Sequence, residues 1–163
     1  MIMTDDQDSV NARDMPKMQS LIAAQGVNFQ NAIATTPLCA PSRATIFRGQ
    51  YAHSHGSRSN DPPLGGYALY RDGGLEGDSL PVWLHAAGYR TAFVGKYING
   101  YRPGFAFVPP GWDDWLALTQ PQRHENFTFN ENGRDMSAPS GVYQTDYLAT
   151  RAIEYLKRTE ERD

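Results

Sequence analysis

Strand-like and helix-like segments alternate along this 163-residue chain. Ser79 is typical of a helix N-cap, and the helix predicted over Leu80–Ala87 ends at Gly88, a residue that favours the left-handed end of a helix. The apolar run Arg90–Val94 follows at once, as a buried strand does after a crossover helix. This unit favours an α/β sheet with helices on both faces.

Other segments extend the pattern. Met1–Thr4 is predicted to be the end of a buried strand. Asp14–Gln25 has apolar residues at helical spacing and is predicted to be an amphipathic helix. The turn 130–133 after Phe127–Phe129 predicts a hairpin, and Thr145 is placed to cap a final amphipathic helix. The stretch from 49 to 77 is predicted to be irregular, a length that compact domains usually reserve for functional loops.

Composition excludes several classes of protein. The net charge is −3, so no broad basic face predicts a nucleic-acid partner. No apolar run approaches the roughly 20 residues that span a bilayer. The single cysteine excludes an internal disulfide and raises the question of a chemical use for its thiol.

Two adjacent carboxylates follow the predicted first strand. Asp5 and Asp6, with Asp8 nearby, repel each other unless a cation or hydrogen-bond donors gather there. Oxygen ligands of this kind suit Ca²⁺ or Mg²⁺. The alternative is a solvated acidic turn, because most exposed charge clusters lie on the surface without a ligand.

The segment Cys39-Ala40-Pro41-Ser42-Arg43 resembles the signature of the type I sulfatases, cysteine-x-proline-serine-arginine. The plainer alternative is a buried cysteine beside a helix start. The resemblance implies that a formylglycine-generating enzyme oxidises Cys39 to formylglycine. It also implies part of an alkaline-phosphatase-like mixed sheet with helices on both faces.

The same resemblance implies a mechanism. One hydroxyl of the hydrated aldehyde at position 39 attacks sulfur and the alcohol leaves, and the second hydroxyl then expels sulfate and restores the aldehyde. Asp5, Asp6 and residue 39 would ligate the cation, which acidifies the diol and polarises sulfate oxygens. Arg43, one helical turn beyond Cys39, would steady the charged diol.

Two further segments carry candidate substrate ligands. Gly95-Lys96-Tyr97-Ile98-Asn99 is similar to the glycine-lysine stretch of the N-acetylglucosamine-6-sulfatase branch, so Lys96 would bind the sulfate group. Ile98 stands where a histidine is usual as the second sulfate ligand, and Asn99, one residue further on, is the substitute candidate. His55, in a His-x-His pair, would lie at the pocket rim; a transition-metal pair or two ordinary loop histidines are the alternatives.

Residues 1–163 are therefore interpreted as the N-terminal segment of a sulfatase catalytic domain whose C-terminal part is absent. The complete protein would hydrolyse sulfate esters of a sugar or aryl alcohol, in the periplasm, in the secreted fraction or in a lysosome-like compartment. Two alternatives stay open. The chain could be an inactive fragment or interaction module, or the protein could cleave phosphate or phosphonate esters, because sulfate and phosphate share tetrahedral geometry.

Overall fold

The computed structural model describes residues 1–104 and 107–160. By their contacts these residues form two compact units, residues 1–34 and the described residues from 35 to 160. None of the helices in the described ranges is both long and apolar enough to cross a membrane.

The first unit is helical. It contains α1 (Ser9–Arg13), α2 (Pro16–Met18) and a π-helical turn, Gln19–Ala23. The helix predicted over residues 14–25 is confirmed for its central part, although its second half closes i→i+5 hydrogen bonds. The strand predicted at Met1–Thr4 is wrong: this segment is exposed and has no regular structure, because no described strand pairs with it.

The second unit is built on a mixed four-stranded sheet in the order β1-β2-β3-β4. The strands are β1 (Ala92–Lys96), β2 (Asp114–Leu118), β3 (Thr128–Glu131) and β4 (Arg134–Ser137). The β1–β2 pair is parallel and the other two pairs are antiparallel. The predicted α/β sheet is confirmed, and its first strand lies two residues further along the chain than predicted.

The predicted hairpin joins β3 to β4. Its two central residues, Asn132 and Gly133, have φ values of 48° and 85°, which is the double positive-φ conformation of the tight turn that matches strand twist. Asn130 holds the turn by accepting a hydrogen bond from the Gly133 N–H at 2.9 Å. The residues of the turn are therefore sufficient to specify this hairpin.

The described residues of this unit also form five helices: α3 (Cys39–Arg48), α4 (Ala52–His55), α5 (Gly66–Asp72), α6 (Leu80–Ala86) and α7 (Gln144–Glu160). The helix predicted after Ser79 is confirmed as α6. The prediction that residues 49–77 are irregular is wrong, since α4 and α5 lie there. The final helix begins at Gln144, so Thr145 is inside it and not its cap.

Strand β2 shows why helices cover both faces. Trp115 and Ala117 pack into a core cluster with residues of α3 and α5, such as Ala44 and Tyr70. The intervening residues of β2 point to the other face, where Tyr147 and Leu148 of α7 pack against Leu116, Leu118, Phe127 and Phe129. Alternation along one strand therefore buries apolar side chains in two layers.

Candidate active site

Cys39 is the first residue of α3. Leu38 before it is extended, with ψ of 144°, and Gly49 ends the helix in the left-handed conformation with φ of 61°. The Leu38 side chain supplies no cap. Instead the Ala40 N–H, one of the unsatisfied donors of a helix N-terminus, donates to Asn60 Oδ1 at 2.9 Å. A side chain 20 residues away thus fixes the turn that presents Cys39.

Lys96 reaches the same point from the sheet. It is the last residue of β1, and its Nζ donates a hydrogen bond to Cys39 Sγ at 3.1 Å. The contact joins residues 57 positions apart in sequence. In α/β sheets the carboxyl ends of the parallel strands are where ligands bind, and the Lys96–Cys39 pair lies at that end of β1.

Arg43 links α3 to the carboxyl end of β1 by a hydrogen bond. Its side chain is buried, 7% exposed, and Nη1 donates to the backbone carbonyl of Lys96. Two of the predicted catalytic residues are therefore joined directly, with Cys39 one helical turn before Arg43 on the same helix. A buried guanidinium with a charge-assisted contact holds its neighbours more firmly than a neutral group would.

Asn99 lies in the loop after β1, where its backbone carbonyl accepts a hydrogen bond from the Tyr67 N–H at 2.7 Å. This close approach needs Gly66, whose φ is 76°. A Cβ there would meet the Asn60 carbonyl oxygen at 2.7 Å and the Asn99 carbonyl oxygen at 3.3 Å. The Asn99 side-chain oxygen is buried and has no hydrogen-bond partner among the described residues.

His55 is buried and hydrogen-bonded to α3. It is 4% exposed, its Nδ1 accepts from the Ser57 N–H at 3.1 Å, and its Nε2 lies 3.0 Å from Thr45 Oγ1. Because Nδ1 accepts, Nε2 carries the proton and donates to Thr45. Burial lowers the pKa of His55, which keeps the ring neutral. Both ring nitrogens are thus engaged by the protein, which favours a structural role; the predicted substrate contact stays a prediction.

Asp5 and Asp6 belong to the first unit, and both are exposed. Asp8 is committed elsewhere, since its Oδ1 accepts from the Val10 and Asn11 N–H groups at 2.8 Å and caps α1. Two carboxylates fit a hard cation by their donor chemistry. They supply fewer than the six to eight oxygens that Ca²⁺ prefers, so further ligands would be needed.

Asn60 and Gly66 were missed in the sequence interpretation. Both lie in the stretch predicted to be irregular, and their contacts depend on residues far away in sequence. The only local signal was the density of turn-forming residues around them, which indicates a loop but not its partners.

The model of the sulfatase family matches residues 1–163. The Drosophila melanogaster extracellular sulfatase SULF-1 homolog is 31% identical over 170 residues, covering 100% of this chain and 15% of that protein. The human N-acetylglucosamine-6-sulfatase is 33% identical over 166 residues, covering 96% of this chain and 30% of that protein.

A solved complex is also similar, with a TM-score of 0.68 and 30% identity over 87% of this chain and 26% of that one. Its bound molecule is described as that protein's substrate, D-glucosamine-2-N,6-O-disulfate. The chain thus spans no more than about a third of the length of any of these three proteins.

Proposed function

The chain belongs to the sulfatase family, and on this premise we propose that the complete protein hydrolyses sulfate esters with residue 39, as formylglycine, for its nucleophile. The observation that carries the proposal is the 3.1 Å contact between Lys96 Nζ and Cys39 Sγ at the carboxyl end of β1. A cation beside the only cysteine is the arrangement that attack on an anionic ester requires.

The Cys39 Sγ stands in for a hydroxyl oxygen of the formylglycine hydrate. When present, that hydrate supplies a nucleophile which releases sulfate by regenerating its aldehyde. Lys96 would hold a sulfate oxygen against this hydroxyl and offset the negative charge that grows during attack. Because the Lys96 side chain is partly buried, its charge is less screened than that of a surface lysine.

The remaining residues keep the nucleophile in position. Arg43 would stabilise the ionised hydrate and fix the carbonyl of Lys96, so the nucleophile and the cation move together. Asn60 holds the first turn of α3, whose N-terminal end favours negative charge. Asn99 would complete the sulfate site through its amide group.

A divalent cation is part of the proposal. Asp5 and Asp6 would ligate Ca²⁺ or Mg²⁺, with residue 39 as the further ligand that the motif implies. The ion would polarise the sulfate oxygens. The other ligands would come from outside this chain.

The substrate would be a sulfated small molecule or glycan, in which the ester is a sugar sulfate or an aryl sulfate. For a sugar sulfate the support is the human relative, named for N-acetylglucosamine 6-sulfate, and the solved complex with a sulfated glucosamine. A formylglycine-generating enzyme would act on Cys39 during maturation. The extracellular relative favours a periplasmic, secreted or lysosome-like location for this protein.

The test compares rates of nitrophenyl sulfate and nitrophenyl phosphate hydrolysis by the complete protein made in a host with the maturation enzyme. We expect the sulfate ester to be cleaved faster, and Cys39→Ala to abolish the activity. A faster rate on phosphate would favour a phosphate-ester hydrolase. Full activity of Cys39→Ala would refute the proposal that residue 39 is the nucleophile.

A further inference from the structure

A carboxyl group is buried next to the residue that follows Lys96. Glu76 lies in the connection between α5 and α6, is 5% exposed, and accepts a hydrogen bond from the Tyr97 hydroxyl at 3.1 Å. Burial of a carboxyl group destabilises the folded state unless hydrogen bonds compensate, and an apolar side chain of similar size would avoid this loss of hydration. The contact with Tyr97 therefore calls for an explanation other than packing.

Backbone hydrogen bonds hold Glu76 between two helices. Its N–H donates to the Tyr70 carbonyl of α5 at 3.2 Å, and its own carbonyl accepts from the Ser79 hydroxyl at 2.8 Å. Ser79 immediately precedes α6 and is 1% exposed. The main chain of Glu76 is thus fixed independently of Tyr97, so the carboxyl group offers the Tyr97 hydroxyl a stationary acceptor.

Tyr97 links Glu76 to the candidate active site. It follows Lys96 directly, and the Lys96 carbonyl that accepts from Arg43 belongs to the peptide group between Lys96 and Tyr97. The Tyr97 ring is 3% exposed and packs against Phe47 of α3, with ring centroids 5.7 Å apart. The position of the Tyr97 side chain therefore bears on both elements that meet at residue 39, which are α3 and the end of β1.

Ring packing and the hydrogen bond restrict Tyr97 in different ways. Contacts between aromatic rings tolerate a range of offsets and tilts, whereas a hydrogen bond weakens steeply with poor distance and angle. The bond to Glu76 therefore fixes the far end of the Tyr97 side chain, while Arg43 holds the adjoining peptide group. Together these two contacts restrict the direction in which the Lys96 side chain leaves β1.

We propose that Glu76 is a positioning residue for sulfate-ester hydrolysis: through the Tyr97 hydroxyl it holds the end of β1 so that the Lys96 ammonium stays against residue 39. The inference rests on the proposed function and adds to it a residue that touches neither the nucleophile nor the ester. A misplacement of about 1 Å caused by a distant substitution can lower a rate by about 100-fold, so even a small shift of Lys96 is measurable.

The test measures nitrophenyl sulfate hydrolysis per folded molecule of the complete, matured protein, with urea titration in parallel. Tyr97→Phe and Glu76→Leu each remove one partner of the hydrogen bond and should each lower kcat/KM by about 3- to 10-fold. Most of the loss should be in kcat, because Lys96 offsets charge that grows during attack. Glu76→Gln keeps an acceptor oxygen and should stay within about twofold of wild type. Tyr89→Phe, at an exposed position, is the matched control and should equal wild type.

A double variant that combines Tyr97→Phe with Glu76→Leu separates positioning from stability. Each single variant leaves a buried polar group without this hydrogen bond, whereas the double variant removes both groups. Its free energy of unfolding should therefore recover toward that of wild type. Its kcat/KM should stay as low as that of the single variants, because the link between Glu76 and the end of β1 is still missing.

Three results would overturn the inference and leave the proposed function intact. They are wild-type kcat/KM in Tyr97→Phe, a Glu76→Gln variant as slow as Glu76→Leu, and recovery of activity together with stability in the double variant. A wild-type protein that hydrolyses no sulfate ester would instead overturn the proposed function, and this inference with it.

Discussion

The sharpest prediction concerns the charge on Lys96. Lys96→Met keeps the length and the apolar stem of the side chain but removes the ammonium that donates to residue 39. A hydrogen bond to a charged group contributes about 1.5–3 kcal/mol. Each 1.36 kcal/mol of transition-state stabilisation corresponds to about tenfold in rate. We therefore expect kcat/KM for a sulfate ester to fall by about 10- to 150-fold.

The assay is steady-state hydrolysis of nitrophenyl sulfate by the complete protein, with thermal melting measured in parallel. Lys157→Met is the matched control, because Lys157 is exposed on α7 and makes none of the contacts described at the candidate active site. Its kcat/KM and melting temperature should equal those of wild type. The reasoning is refuted if Lys96→Met loses less than about threefold, or if its activity falls only in proportion to folded protein.

Three further predictions concern the support of the site. His55→Phe leaves the Thr45 hydroxyl and the Ser57 N–H without their partner, so the free energy of unfolding measured by urea titration should fall by about 2–4 kcal/mol. The control, His53→Phe at an exposed position, should change it by less than about 0.5 kcal/mol. Equal effects of the two substitutions would contradict the structural role of His55. Gly66→Ala places a Cβ against the Asn60 carbonyl at a residue with positive φ, so the free energy of unfolding should fall by at least about 1 kcal/mol in the same titration. An unchanged urea midpoint would contradict this geometry. Burial raises the pKa of Glu76, which accepts a hydrogen bond from the Tyr97 hydroxyl at 3.1 Å. Folding therefore favours its protonated form, and wild-type stability should fall as pH rises from the ordinary value of 4.5 through the raised pKa, a fall that Glu76→Gln removes; parallel curves for the two proteins would refute this assignment.

The sequence predicted elements whose signals are local. The hairpin was evident from its turn residues because Asn132 and Gly133 tolerate positive φ, and α6 from Ser79 and the glycine that follows the helix. The position proposed for the nucleophile came from a five-residue motif. In each case the sequence signal lies within a few residues, although the Ser79 side chain makes no cap hydrogen bond to α6.

Features that depend on distant contacts were not predicted. Helices α4 and α5 are too short, at 4 and 7 residues, to show a clear apolar period, and tertiary packing stabilises them. In the sequence Asn60 is simply a polar residue in a loop. Its contact with the first turn of α3 exists only in the folded protein. The predicted opening strand failed for a related reason, since an extended segment becomes a strand only when another strand pairs with it.

The chemical state of residue 39 tests the account most directly. Mass spectrometry of the peptide that contains it, from protein purified out of its own host, distinguishes a thiol from an aldehyde. We predict that the aldehyde form is present and that hydrolysis of sulfate esters rises in proportion to it across preparations. Full activity in preparations that contain only unmodified cysteine would contradict the central claim.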